Sequence, residues 1–200
     1  MKGYGIPCVL LCCVLGCASS GPSGTYVPGL STITLDEYYD VTGSTAAALH
    51  QEMLRRGPRI DGQSFYGEMY WTLRWRFRFA SRSGQCEMEQ VEVPLTITIM
   101  LPRWHRPADV DAALAEQWDA FLASLRLHEE GHRSLAMEAG REIIRALRSM
   151  RTLSCSSMEA EANRKAGAIL DRYREHNRQY DRDTGHGRRQ GAVWPPRERG

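Results

Sequence analysis

Three things are scarce in this chain. Charge of one sign is the first: 26 basic and 24 acidic residues leave a formal net charge of +2 over 200 residues, and the two signs interleave. Without a basic face there is no electrostatic footprint for nucleic acid, so a polyanion partner is excluded from the reading. Long apolar runs are the second, since the run Ile6–Leu15 is interrupted by Pro7 and is too short to be a permanent membrane-spanning helix. Internal repetition is the third, and its absence excludes a solenoid. What is present, 42% hydrophobic and 25% charged residues, suits one ordinary core, hence one compact domain with tails.

The N-terminus reads as a secretion signal, with Lys2 ahead of the short apolar run. The run ends in Val14-Leu15-Gly16-Cys17, a pattern that resembles a bacterial lipobox, in which Cys17 is lipidated and becomes the mature N-terminus. A plain cleaved signal and an uncleaved anchor are the alternatives. Residues 18–34, opening with the Ser, Gly and Pro-rich stretch Ser19–Pro28, are expected to be a flexible tether. Ala18 after the cysteine points to the periplasmic face of an outer membrane. Cys8, Cys12 and Cys13 fall within the signal, which leaves Cys86 and Cys155 as one expected disulfide in an exported domain.

Residues 35–187 are expected to fold as a single α+β domain. Asp36–Val41 is a short strand, and Ser44 caps a helix from Thr45 to Arg56 that Gly57-Pro58 stops. From Tyr70, Trp71, Leu73, Trp75, Phe77 and Phe79 alternate with polar residues, as in a half-buried strand. A turn at Ser81–Gly84 leads to a second alternating strand carrying Val91 to Leu101, which makes a hairpin. Cys86 and Met88 have the wrong parity for that strand, so a bulge is required near Glu89 or Gln90. Pro94 lacks an N–H and suggests a sheet edge. A helical stripe then runs from Val110 to Met150; at about 60 Å it is long enough to expect a bend or break. A third helix, with a capping box at Ser156 and Glu159, runs to about Tyr180, and residues 188–200 read as a disordered tail.

Within the long helix, Leu127-His128-Glu129-Glu130-Gly131-His132 sets two histidines four apart. One helical turn separates them, so both imidazoles can reach one ion. They continue the stripe of Leu125, Ala136 and Ile143, which turns them inward, where an unpartnered imidazole is costly and a metal is a fitting partner. Glu129 stands where an HExxH hydrolase needs its general base. A catalytic zinc takes three protein ligands. The third candidate is His186, flanked by Gly185 and Gly187, with Glu159, Glu161 and Asp181 as competitors.

These motifs resemble those of the bacterial predicted secreted zinc-dependent proteases catalogued as domain of unknown function 922. The resemblance is carried by Tyr39-Asp40-Val41-Thr42-Gly43, Arg56-Gly57-Pro58, Trp71, Trp75, Cys86, Leu101–Trp104, Trp118, the HExGH pattern at 128–132, Cys155, and Tyr180-Asp181, Thr184 and His186-Gly187. It implies zinc at His128, His132 and His186, with Glu129 as base, and a zincin-like fold in which a small antiparallel sheet packs on the histidine helix. Tyr180 is then a candidate oxyanion donor and Asp181 a candidate to orient a ligand histidine. The expected activity is hydrolysis of protein or peptide substrates at the cell envelope. A zinc-binding structural lipoprotein and a metal-free interaction module are the rivals.

Overall fold

The computed structural model describes residues 27–196. The expected signal, Cys17, the first part of the expected tether and the last four residues lie outside them. At the centre is one long strand, β6 (Gln85–His105), whose odd residues Val91 to Leu101 are all buried. One edge of β6 pairs antiparallel with β4 (Glu68–Leu73) and then β5 (Arg76–Arg82); the other pairs parallel with β1 (Leu30–Thr42) and antiparallel with the two-residue β7 (Arg151–Thr152). The sheet is therefore five-stranded and mixed, not antiparallel. A separate small hairpin joins β2 (Arg59–Ile60) to β3 (Gln63–Ser64).

The expected single strand from Tyr70 to Phe79 is two strands, broken at Arg74-Trp75. Pro94 explains the break and its own position in a central strand. The amide of Val93 is spent on Gly29 across the β1 edge, and the carbonyl of Pro94 accepts from Arg74 on the other. The missing N–H of Pro94 thus faces the gap between β4 and β5, where a ladder bond is not required. The bulge is where parity demanded it. Arg78 pairs with Gln90 and Phe79 with Met88, leaving Glu89 without a partner, so Cys86 and Val91 are both buried despite opposite parity.

The first part of the chain is more ordered than a tether allows: β1 begins at Leu30, because it has a 13-residue parallel partner in β6. Helix α1 (Ala46–Arg56) is capped by Thr45 and not by Ser44: the Thr45 hydroxyl accepts from the Ala48 amide at 3.1 Å. Gly57 ends it as expected, and a Cβ there would lie 2.4 Å from the Phe65 carbonyl.

Helix α2 (Ala112–Arg148) is one uninterrupted run of 37 residues, about 55 Å long, so the anticipated break is absent. Its internal glycines serve close approach instead: a Cβ on Gly140 would stand 2.8 Å from the Leu30 side chain. Helix α3 (Cys155–Thr184) returns along α2. Fully buried Ala136 and Ala139 on α2 and Ala162 and Ala166 on α3 belong to the same core, and such small side chains let backbones approach closely. The cap of α3 is Ser154, which accepts from Ser156, and not the Ser156–Glu159 pair.

The disulfide Cys86–Cys155, with Cα atoms 5.0 Å apart, ties the start of β6 to the start of α3. Closing 69 residues stabilises the fold by roughly 4 kcal/mol in the chain-entropy model. The presumed disordered tail is also ordered through Pro196. After a 3-10 turn at Arg188–Gln190, Trp194 is 5% exposed, packs 5.3 Å from both Trp118 and Phe121, and donates to the Ala46 carbonyl. Among the described residues no helix is long and apolar enough to cross a membrane.

Candidate metal centre

The buried stripe of α2 carries His128, Glu129 and His132 into the interior, at 4%, 3% and 7% exposure, as their register requires. The glycine between them has a specific cause. A Cβ on Gly131 would meet the Tyr180 hydroxyl at 2.1 Å, because the ring of Tyr180 lies over this turn, stacked on His128 at 5.2 Å and edge-on to His132 at 4.9 Å. Tyr180 is thus the packing surface for both imidazoles.

The Nδ1 atoms of both rings are engaged by oxygen acceptors. Asn177 donates its amide to the Tyr173 carbonyl, which can only accept, so its Oδ1 is the atom facing His132 Nδ1 at 2.8 Å. Gln190 donates to the Tyr180 hydroxyl and turns its Oε1 to His128 Nδ1 at 3.0 Å. Thr184 spends its hydroxyl proton on the Tyr180 carbonyl, so the oxygen it shows His128 Nδ1 is an acceptor as well. Both rings therefore carry Nδ1–H. Their Nε2 atoms are turned to each other at 3.3 Å, and Asp181 Oδ1 lies 3.0 Å from one and 3.3 Å from the other.

Two lone pairs and a carboxylate converging in a buried site repel unless positive charge sits among them. Protons supply it at low pH, and a metal cation could supply it at neutral pH. The donor set fits zinc, which takes imidazole nitrogen and carboxylate oxygen, with the second ring nitrogens anchored as ligand histidines require. His128, His132 and Asp181 form the group whose ligand atoms all lie within 4.8 Å of one another. Burial would raise the Asp181 pKa, but the two imidazoles beside it hold its carboxyl well below the usual range. For His132 burial acts downward, and Asp181 outweighs it, leaving the net shift upward.

His186 stands at the rim of this group. Residues 185 to 187 all have positive φ, and that left-handed turn ends α3 and sets the imidazole 5.1 Å from the Phe65 ring. Its side chain is 54% exposed, yet Nδ1 is 3.3 Å from the same Asp181 oxygen that faces the buried pair. Glu159 and Glu161 are not near: they lie in the first turns of α3, some 20 residues and roughly 30 Å of helical rise before Asp181. The disulfide is distant for the same reason, since Cys155 is the first residue of α3.

Glu129 faces Gly67 at the mouth of β4, where a Cβ would be 3.1 Å from its Oε1. Burial pushes its carboxyl up to about 7, partly offset by the neighbouring imidazoles. Glu129 and the histidines line a cleft of about 1400 Å³, together with β4, with Asn177 and Arg178 of α3 and with the Trp194 segment. Glu68, which burial also raises, lines it and adds negative potential to Glu129. Sequence reasoning missed Glu68, Asn177 and Gln190. Asn177 was within reach, being one turn before Asp181 on the same helical stripe.

Fold and site together define the class: a mixed α+β domain in which two buried histidines of the longest helix and an aspartate of the C-terminal helix α3 form a group able to hold a metal ion. The chain belongs to the bacterial protein family of unknown function DUF922, which matches residues 36–187. No curated protein and no solved structure matches it.

Proposed function

We propose that this protein is a zinc-dependent peptidase of the bacterial cell envelope, with a zincin-like arrangement of sheet and histidine helix. The observation that carries the reading is the convergence of two bare Nε2 atoms and Asp181 Oδ1 on one buried point. His128, His132 and Asp181 hold the ion, with His186 at the opening. Zinc, when bound, supplies Lewis acidity that makes water a competent nucleophile near neutral pH.

The remaining chemistry belongs to the chain. Glu129, poised near 7 by burial, takes the proton from the attacking water and passes it to the departing amine. The outer edge of β4, which pairs only with β6 among the described strands, lies along the cleft and offers backbone groups to an extended peptide. The disulfide supports an oxidising compartment. Export and lipid anchoring at Cys17 complete the proposal.

Zinc per chain, and cleavage of a pool of denatured envelope proteins by wild type and Glu129→Gln, test it. One zinc in both proteins with cleavage by wild type alone is the expected result. Absence of zinc overturns the metal reading; zinc without cleavage in either leaves a structural zinc lipoprotein for that pool. Asp181→Ala is expected to weaken zinc binding more than His186→Ala, and the reverse order would make His186 the third ligand.

A further inference from the structure

The family match stops at Gly187, but the chain continues along the metal site. Gly187, at φ +78, is packed so that a Cβ would lie 3.1 Å from the Cβ and Cγ of His128. Gly191, at φ +98, is pressed on Ser124, where a Cβ would come within 2.8 Å of the hydroxyl. Trp194 then packs against Phe121 and Trp118. The contacts descend α2 in order, at 128, 124, 121 and 118, so the segment follows one face of the helix toward its N-terminus. The 3-10 turn between the two glycines sets Gln190 against His128 Nδ1.

We infer that residues 188–196 are a strap that positions a metal ligand, with Gln190 orienting His128 and Trp194 anchoring the strap; this rests on the metal reading above. Gln190 restrains His128 in two ways. Its Oε1 accepts from Nδ1 and leaves Nε2 as the free lone pair, and its Nε2 donates to the hydroxyl of Tyr180, whose ring stacks on the same imidazole. Trp194 is held independently, by its donation to Ala46 on α1 and by Tyr66, which donates to its carbonyl. Anchored at both ends, the strap cannot drift from the ring it orients. Gln190 is a positioning residue and not a ligand.

The test is zinc affinity of the full chain by competition with a chromophoric chelator, together with the visible spectrum of the cobalt-substituted protein and the melt of the metal-free form. Gln190→Ala is expected to weaken zinc 10- to 100-fold and to alter the cobalt bands. Gln190→Glu, which keeps an acceptor oxygen for Nδ1–H, is expected to restore affinity to within a few-fold of wild type. Trp194→Ala, which touches no ligand, should weaken zinc as well; because it also opens the aromatic cluster, the two Gln190 variants carry the decision. If Gln190→Ala binds zinc like wild type while His128→Ala loses it, the strap is refuted and the metal reading stands. A lowered metal-free melt with unchanged affinity, or no rescue by Gln190→Glu, refutes it also. If wild type binds no zinc, both fall together.

Discussion

The α2–α3 pair is held differently at its two ends. Near the turn, β7 pairs with Cys86 and Glu87, and the disulfide adds a covalent tie at the first residue of α3. Some 26 residues further along α3, roughly 39 Å of helical rise, the helices meet instead through His128, His132, Asn177 and Asp181. The first end is tied by a covalent bond and a strand pairing. The other is a cluster of polar groups whose mutual repulsion is relieved only by positive charge. The covalent end can therefore be changed with little effect on site occupancy.

The largest expected effect is at the polar end. Glu129→Gln should lower peptide hydrolysis 10²- to 10⁴-fold while zinc content stays at the wild-type value, measured by turnover and metal analysis. Next is the covalent end: replacing Cys86 and Cys155 together with alanine should cost roughly 4 kcal/mol in denaturant unfolding, with zinc affinity unchanged. A large fall in affinity would show that the two ends communicate.

A third effect sharpens the contrast through pH. The folded pKa of Glu129, about 7, exceeds its ordinary value of 4.5. A raised carboxyl binds its proton more tightly in the folded state, so its stabilising contribution is complete below about 4.5 and is lost as pH rises to about 7. Metal-free Glu129→Gln lacks that loss and should be more stable than metal-free wild type at pH 8 by about 3 kcal/mol, as an order of magnitude, and no more stable at pH 4. Denaturant melts at both pH values check it, and a pH-independent difference would refute it. The smallest effect is Gly131→Ala. Helix propensity alone favours alanine by about 1 kcal/mol, but displacement of Tyr180 should make the change destabilising by about 1–3 kcal/mol. A stabilised variant would mean that Tyr180 does not sit on the histidine turn.

The contrast also explains what could be read from the sequence. The inward register of His128 and His132, the bulge at Glu89 and the two strand faces are consequences of local periods, which one segment displays by itself. The disulfide needed only a count of cysteines outside the expected signal. Pro94 misled because its local meaning, an edge, was overruled by a gap in the neighbouring strand that no local rule announces. Residues 188–196 misled because their Gly, Arg and Pro content resembles a solvated tail, while their order comes from contacts with Phe121 and Ala46 far away in the chain. Asp181 and His186 lie at a helix end, where a few left-handed residues decide which side chain turns inward. Gln190 gave no signal, since a single amide in an aperiodic segment announces nothing about the ring it meets.

The pairing of β1 with β6 bears on how the protein comes to be folded. Leu30 pairs with Val93 and Thr42 with His105, a constant separation of 63 residues in a parallel ladder. A chain emerging from its N-terminus therefore presents β1 long before its partner exists, and Ile33 and Leu35, still 60% and 46% exposed in the finished fold, have no shelter in the interval. Closing so long a loop before any ladder bond forms makes that step slow. Assembly thus waits on the emergence of residue 105, and β1 is the segment whose premature pairing with another chain would derail it.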